Sequence, residues 1–306
     1  MVKSSEAASF NADYYRDRQI NAVIVGGTAG IGQGIAFRIA AYSRNPVITV
    51  CGRNENPGQE TISELKKIND KGTYNFERCD MSLLKETRDL AKRITAKYDK
   101  INLLVISSGY ISLESYTETE DGMDARFTMF CAGRFALTYY LVPLLQAAAN
   151  NGETAAALSV MTAGQGNKFM IDDIGLKENF KFTTSRSHRA VLNDVMAEAF
   201  SKHYPKVSFH HSYPGIVKTK LLRNLPWYVR YPSVALAPFA MSIENCGDYS
   251  LYGIASHLKE KTGSWSLINQ DGETIEPTEP HTIEACEKSW DWFMDLLNKR
   301  GLTELN

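Results

Sequence analysis

A chain of 306 residues with 43% hydrophobic and 23% charged residues is long enough to bury a large core and has the composition of a soluble globular protein. Its formal net charge of -1 argues against nucleic acid or an anionic membrane surface as the main partner. The five cysteines are widely spaced and form no C-x-x-C pair, so we expect reduced thiols in the cytoplasm and no metal site. No run of the sequence reaches the roughly 18 apolar residues that a membrane helix needs.

Apolar, strand-like runs alternate with longer helical patterns along most of the chain. We predict strands at residues 22–25, 47–51, 75–79, 103–107, 155–161 and 207–211, with a shorter one at 264–268. The helical patterns cover residues 31–42, 59–69, 83–98, 124–150, 185–203 and 284–299. This alternation is typical of βαβ units, and it predicts an α/β fold with a doubly wound parallel sheet, the Rossmann arrangement.

Residues 221–263 interrupt the alternation near the C-terminus. They contain three prolines and the aromatic run from Trp227 to Tyr231. A long insertion after the last main crossover of such a sheet usually covers the ligand crevice. We therefore predict one domain over residues 1–306, with a substrate lid at 221–263.

A glycine-rich turn lies between the first predicted strand and the first predicted helix. Residues 26–32 read Gly-Gly-Thr-Ala-Gly-Ile-Gly. Glycines allow the backbone to approach a pyrophosphate closely, and the helix that starts there points its positive end at the phosphates. This context, a strand before and a helix after, predicts a dinucleotide site. The residues that we expect to contact the cofactor here are Gly26, Gly27, Thr28, Gly30, Ile31 and Gly32.

The residues after the second strand indicate which dinucleotide is preferred. Enzymes that favour NAD place an acidic residue there for the ribose hydroxyls, whereas an arginine pairs with the 2′-phosphate of NADP. This chain has Arg53 and Asn54, with no acidic residue before Glu55. We therefore predict NADP(H) as the cofactor, the alternative being that Arg53 is a solvated loop residue.

The run from Val25 to Gly32 resembles the Thr-Gly-x-x-x-Gly-x-Gly motif of the short-chain dehydrogenases/reductases, with Val25 in the threonine position. The resemblance continues over residues 20–275. It implies an adenine contact after the third strand, and it implies that a Pro-Gly-x-x-x-Thr segment after the sixth strand holds the nicotinamide carboxamide. The further cofactor contacts that the resemblance implies are Asp80, Met81, Ser108, Gly109, Pro214, Gly215, Val217 and Thr219.

The chain departs from the family pattern at the catalytic positions. The family uses a tyrosine as proton donor, a lysine four residues later that lowers the tyrosine pKa and holds the nicotinamide ribose, a serine and an asparagine. Aligned on local anchors, these four positions carry Thr184, His188, Met161 and Phe130. No Tyr-x-x-x-Lys occurs in the chain, although a shift of register could move the serine position to Ser159 or Thr162.

Three residues are the first candidates for the missing chemistry, and the further nearby donors are Tyr116, Asp172, Asp173 and Arg186. Thr184 is a weak general acid near neutral pH. His188 can hold the cofactor ribose in place of lysine or move a proton itself, because its unperturbed pKa is near 6.5; equally, it can merely fill the space of the lysine. Tyr110 directly follows the fourth predicted strand and is expected to face the crevice.

The layout is similar to the retinol-dehydrogenase-like branch of the family and to divergent fungal members of secondary metabolism. This implies an NADP(H)-dependent oxidoreductase acting on a lipophilic carbonyl or alcohol with a non-standard proton donor. Two alternatives stay open: a non-redox cyclase or isomerase on the same fold, and a cofactor-binding protein without catalysis. The family commonly pairs subunits through its long central helix, so residues 124–150 are a candidate homodimer interface, and their apolar positions fit a monomer core equally well.

Overall fold

The computed structural model describes residues 2–110, 116–219, 240–261 and 263–305. Its strands are β1 (Asn21–Val25), β2 (Val47–Gly52), β3 (Thr73–Arg78), β4 (Leu103–Ile106), β5 (Ala156–Val160), β6 (Ser208–Ser212), β7 (Trp265–Ile268) and β8 (Thr274–Ile275). Its helices are α1 (Ser4–Tyr15), α2 (Gly30–Tyr42), α3 (Glu55–Ile68), α4 (Leu84–Lys97), α5 (Ala125–Phe127), α6 (Gly133–Asn150), α7 (Phe182–His203), α8 (Ile243–Glu260) and α9 (Ile283–Lys299).

The strands form one sheet in the order β3-β2-β1-β4-β5-β6-β7-β8. All neighbouring pairs are parallel except the last, because the short β8 runs antiparallel to β7. The predicted doubly wound parallel sheet is therefore confirmed. The strand order reverses between β1 and β4, and in sheets of this kind the ligand crevice lies at the carboxyl ends of the strands around that point.

Helices cover both faces of the sheet, and the core divides accordingly into two clusters. Side chains of β1 alternate between them: Val23 and Val25 belong to the cluster under α4, α6, α7 and α9, whereas Ala22 and Ile24 belong to the cluster under α1, α2, α3 and α8. This alternation follows from the two-residue period of a strand. It explains why the strands read as continuous apolar runs in the sequence.

Helix α8 shows that the lid predicted at residues 221–263 is wrong over its C-terminal part. Residues 243–260 form one of the helices that cover the sheet, where α8 packs directly against α2. A Cβ atom on Gly34 would lie 2.1 Å from the carbonyl oxygen of Ile243, and one on Gly247 would lie 2.7 Å from the carbonyl oxygen of Gly34. The backbones of the two helices therefore approach each other closely at Gly34 and Gly247, where a side chain would not fit. The rest of the predicted lid, residues 220–239, lies outside the described residues.

The predicted central helix is interrupted by a π-helical turn, Thr128–Ala132, between α5 and α6. By length and composition Ala125–Asn150 could cross a membrane, but 83% of its apolar window is buried inside the chain. Helix α9 supplies part of that cover, since the Phe293 ring stacks on Phe135 at 4.5 Å and Trp290 meets Phe135 edge-on at 5.2 Å. The apolar positions of the central helix therefore serve the core of the monomer.

Candidate active site

The glycine-rich turn lies at the carboxyl end of β1, where α2 begins at Gly30. Gly26 and Gly30 have φ angles of +82° and +63°, which side chains rarely allow. A Cβ on Gly26 would lie 2.5 Å from the backbone nitrogen of Ser108, and one on Gly32 would lie 2.3 Å from the Oγ of Ser107. The turn is thus pressed against the end of β4, so the sequence needs glycine at these positions.

Two other predicted cofactor segments meet the same turn. A Cβ on Gly30 would lie 3.1 Å from the Thr219 methyl group, and a Cβ on Gly52, the last residue of β2, would lie 2.7 Å from the Thr28 methyl group. The segment that includes Pro214, Gly215 and Val217 follows β6 and is held by a parallel bridge between Val217 and Met241. Elements far apart in sequence therefore converge on residues 26–32.

The predicted adenosine end lies beside β2 and β3. The exposed Arg53 guanidinium is 4.0 Å from the Asp80 carboxylate. Asp80 Oδ1 accepts hydrogen bonds from the Ser82 backbone nitrogen at 3.0 Å and from the Ser82 hydroxyl at 2.7 Å. Asn54 is the N-cap residue of α3, and Met81 is buried. Arg53 keeps its guanidinium in solvent, where a phosphate can reach it.

These residues fit a nicotinamide dinucleotide. The first turn of α2 offers backbone N–H groups and a positive helix end to phosphate. At the carboxyl ends of β4 and β6, the buried hydroxyls of Ser108 and Ser212 have no hydrogen-bond partner among the described residues. Buried hydroxyls in proteins normally have a partner, so their place beside the crevice suits a polar ligand.

His188 is enclosed in the fold. It lies on α7 one turn after the half-buried Thr184, and its own side chain is 0% exposed. Its Nδ1 accepts a hydrogen bond from the Met170 backbone nitrogen at 3.0 Å, and its Nε2 donates to the Ile174 carbonyl at 2.9 Å. The ring stacks on Phe169, with centroids 4.9 Å apart. Burial lowers the pKa of His188 to about 4.

A neutral imidazole with both nitrogens bonded to backbone groups has no free site for a substrate or a ribose. The structure therefore does not support His188 as proton donor or cofactor ligand. It favours the other interpretation, in which the histidine fills the space of the lysine and anchors the chain around residues 170–174.

Replacing His188 by alanine should therefore affect stability more than turnover. The Met170 N–H and the Ile174 carbonyl would lose their partners, and each unsatisfied buried group costs about 1–3 kcal/mol. We expect the free energy of unfolding to fall by about 2–6 kcal/mol, since two such groups are affected, with turnover at saturating cofactor little changed. Denaturant unfolding and steady-state kinetics test this, with Arg186→Ala, an exposed change on α7, as the control. A large loss of turnover in a stable His188 variant would contradict it.

The same histidine gives the fold a specific acid sensitivity. Its pKa of about 4 in the folded state lies below the ordinary value of about 6.5, so the unfolded chain binds the proton more readily. The stabilisation is complete above pH 6.5 or so and is lost as the pH falls towards the folded-state pKa. The wild type should lose more stability across this window than the His188→Ala variant.

Arg134 is a buried cation that none of the sequence motifs includes. It is 1% exposed, and burial lowers its pKa to about 10. Its Nη1 donates to the Ser159 hydroxyl at 2.6 Å and to the carbonyls of Ile106 and Val160 at 3.1 Å, and its Nη2 donates to the Ser108 carbonyl at 2.7 Å. It therefore ties together the carboxyl ends of β4 and β5. The only signal in the sequence is one arginine within the apolar stretch that forms α6.

Asn193 on α7 completes this network. Ser159 donates to its Oδ1 at 2.9 Å, and its Nδ2 donates to the Phe130 carbonyl at 2.9 Å inside the π-helical turn. Ser159 is thus held between Arg134 and Asn193 and is not placed to orient a substrate. Of the two alternatives for the serine position, only the half-buried Thr162 keeps its hydroxyl out of this network.

The Phe130 ring forms a platform at the carboxyl end of β4. A Cβ on Gly109 would lie 2.8 Å from the ring. The Tyr110 ring is 6.3 Å away between centroids, and the Arg189 guanidinium lies 4.9 Å from the Phe130 centroid. An aromatic ring at this distance from a guanidinium attracts it. Tyr110 and Arg189 are therefore brought to one place by Phe130.

One cluster of metal-ligating residue types lies elsewhere. Glu198, His281 and Cys286 place one ligand atom each within 4.8 Å of one another. Glu198 is already paired with Lys202 at 2.7 Å and with His281 at 2.7 Å. It lies about 15 Å along α7 from His188 at the usual rise per residue. This cluster contributes to the contact between α7 and α9 and is separate from the crevice.

The sequence matches the family model described as short chain dehydrogenase over residues 20–227. It is also 30% identical over 270 residues to an oxidoreductase of Emericella nidulans, across 86% of this chain and 80% of the relative. The chain belongs to the short-chain dehydrogenase family. A second relative, the oxidoreductase andH of Emericella variicolor, is 32% identical across 76% of this chain and 69% of its own length. Mouse polyprenol dehydrogenase is 28% identical across 68% and 63%.

Solved structures share the fold. The Pseudomonas aeruginosa RhlG/NADP active-site complex superimposes with a TM-score of 0.62 at 18% identity, covering 85% of this chain and 98% of RhlG. NADPH-bound carbonyl reductase from chicken fatty liver gives a TM-score of 0.61 at 19% identity, covering 84% and 99%. In this short-chain dehydrogenase the glycine turn keeps the geometry of a phosphate cradle, whereas the residues at the predicted tyrosine and lysine positions are Thr184 and a buried His188.

Proposed function

We propose that this protein is an NADP(H)-dependent oxidoreductase that interconverts a lipophilic carbonyl compound and its alcohol, in secondary metabolism. The observation that carries the proposal is the convergence of the glycine turn, the Arg53–Asp80 pair, Ser108 and Thr219 at one edge of the sheet. Its relatives include fungal proteins named as oxidoreductases and a polyprenol dehydrogenase, whose name indicates a lipophilic alcohol. Structures of similar fold hold NADP or NADPH.

In this proposal, each cofactor segment has a separate task. The glycine turn and the start of α2 hold the pyrophosphate. Arg53 pairs with the 2′-phosphate, Asp80 binds the adenine, and the segment from Pro214 to Thr219 holds the carboxamide of the nicotinamide. The bound cofactor supplies or accepts the hydride, and holding the substrate beside it lowers the barrier by fixing the reacting geometry.

We assign the proton transfer to Tyr110. Its phenol is a far better acid than the Thr184 hydroxyl, and unlike His188 it is only half-buried. It follows Gly109 in the short segment after the carboxyl end of β4. In the direction of reduction, the phenol O–H bond breaks as the new O–H bond of the alcohol forms, and solvent then returns a proton to Tyr110.

The cofactor assignment predicts the behaviour of Arg53→Ala. A hydrogen bond to a charged group contributes about 1.5–3 kcal/mol, so NADPH binding should weaken by about 10- to 100-fold. NADH lacks the 2′-phosphate, and its affinity should hardly change. Fluorescence titration measures both, with Arg78→Ala, another exposed arginine at the end of a neighbouring strand, as the matched control. Equal effects on the two nucleotides, or none, would contradict the assignment.

A non-redox cyclase or isomerase is the second candidate. The observation that favours it is the pair of apolar side chains, Phe130 and Met161, at the positions where the family pattern has asparagine and serine. Apolar side chains at these two positions suit the folding of a hydrophobic substrate. The two candidates differ in cofactor balance, since a reductase consumes one NADPH for each product molecule, whereas a cyclase forms product with no net oxidation.

A further inference from the structure

Among the described residues, the position to which the family pattern assigns a lysine carries no cation. His188 takes the lysine position and is neutral near pH 7, because burial lowers its pKa to about 4. Arg134 is charged, but its guanidinium lies beneath the crevice and is enclosed by the Ser159 hydroxyl and the carbonyls of Ile106, Ser108 and Val160. The Arg134 guanidinium also lies 5.9 Å from the centroid of the Phe130 ring, but both of its Nη groups already donate to these partners.

Arg189, which follows His188 on α7, is placed differently from both His188 and Arg134. Its Nε donates to the Ser185 carbonyl at 3.0 Å, which directs the side chain back along the helix towards its N-terminus. Its guanidinium then lies over the Phe130 ring at 4.9 Å. Among the described residues no carboxylate forms an ion pair with it, so its charge is not cancelled by a direct partner.

Asp124 and Cys131 are titratable neighbours of Arg189. Asp124, at the start of α5, is paired with Arg126 at 2.9 Å, with both side chains buried. Cys131 in the π-helical turn is neutral, because burial raises the pKa of its thiol to about 12. Burial also lowers the pKa of Arg189, but arginine stays protonated in proteins. Arg189 and Tyr110 share a neighbour, since the Arg189 guanidinium lies 4.9 Å from the Phe130 ring centroid and the Tyr110 ring lies 6.3 Å from it.

We propose that Arg189 is a positioning residue that supplies, from the following position on α7, the positive charge that the family pattern assigns to lysine. It stabilises the Tyr110 phenolate and so makes the phenol a better proton donor. The inference rests on the proposed function through the role of Tyr110. It places the cation over an aromatic platform, whereas the family pattern places it on the cofactor ribose. The replacements of asparagine by Phe130 and of lysine by His188 are then two parts of one rearrangement of the active site.

The test measures the phenol directly and needs neither cofactor nor substrate. Protein labelled with carbon-13 at the tyrosine Cζ is titrated with base by NMR, and Tyr110→Phe identifies the Tyr110 signal. In Arg189→Met the pKa of Tyr110 should rise by at least about half a unit, since a nearby opposite charge lowers a pKa. Arg189→Lys, which keeps the charge, should stay closer to the wild type. The exposed Arg186→Met is the matched control and should change nothing.

An unchanged Tyr110 pKa in Arg189→Met, or an equal rise in Arg189→Lys, would overturn the inference. If Arg189→Met does not fold, Arg189→Gln supplies a second neutral side chain, and the same outcomes apply. The remaining tyrosine signals report whether each variant is folded. A Tyr110→Phe variant with full turnover would refute the proposed proton donor and leave the NMR result standing, so the two failures are distinguishable.

Discussion

Replacing Tyr110 by phenylalanine should lower turnover with a carbonyl substrate by about 100- to 10,000-fold, the usual contribution of a general acid. The substitution removes only the hydroxyl, so the ring keeps its place beside Phe130, 6.3 Å away. NADPH affinity should change little. NADPH consumption with long-chain aldehydes, isoprenoid aldehydes and aromatic ketones measures the turnover, and fluorescence titration measures the affinity.

The matched control for this experiment is Tyr116→Phe. Tyr116 is another tyrosine of the same region, and its ring meets Phe180 edge-on at 5.6 Å. Its hydroxyl has no assigned role, so its loss should leave turnover nearly unchanged. Full activity in Tyr110→Phe, or an equal loss in the two variants, would show that the proton comes from another group, and Thr184→Ala would then be the next variant to measure.

Replacing Phe293 by alanine should lower the free energy of unfolding by about 3–5 kcal/mol, as for other buried phenylalanines. The side chain is 0% exposed and stacks on Phe135 at 4.5 Å, with Trp292 edge-on at 5.1 Å. Its loss would leave a cavity between α9 and α6. Denaturant unfolding measures the change, and Asp291→Ala, an exposed substitution on the same helix, is the control.

A loss below about 1 kcal/mol, the range of surface substitutions, would mean that α9 does not seal the central helix. That outcome would also return the face of α6 to consideration as a homodimer interface. The expected loss of unfolding free energy, together with a monomer in sedimentation experiments, would agree with an α6 whose apolar side chains are buried within one chain.

Most of the sheet could be predicted from the sequence because its information is local. Each parallel strand is a short apolar run between turn residues, and β1 to β7 all lie where such runs occur. Helix α8 was hidden because Gly247 and Gly253 lower its helix propensity. Those glycines are there for close packing, since a Cβ on Gly253 would lie 2.7 Å from the Ile268 side chain. That reason is tertiary and cannot be read from the segment alone.

The functional site could likewise be predicted only where its residues are close together in sequence. The glycine turn and Arg53 are recognisable because a phosphate cradle is built from consecutive residues. The environment of His188 depends on the return of residues 170–174 to α7, and the network of Arg134 joins β4, β5 and α6. These contacts are distant in sequence, so residue types alone left two roles open for His188 and gave no role to Arg134.

We propose that this short-chain dehydrogenase binds NADP(H) although the tyrosine and lysine positions of the family pattern carry Thr184 and His188. Titration of the purified wild-type protein with NADPH, with NADH in parallel, tests it most directly by the change in nucleotide fluorescence. We predict micromolar or tighter binding of NADPH and, from the loss of one charged hydrogen-bonding group, at least about tenfold weaker binding of NADH. Binding of neither nucleotide, or tighter binding of NADH, would contradict the account.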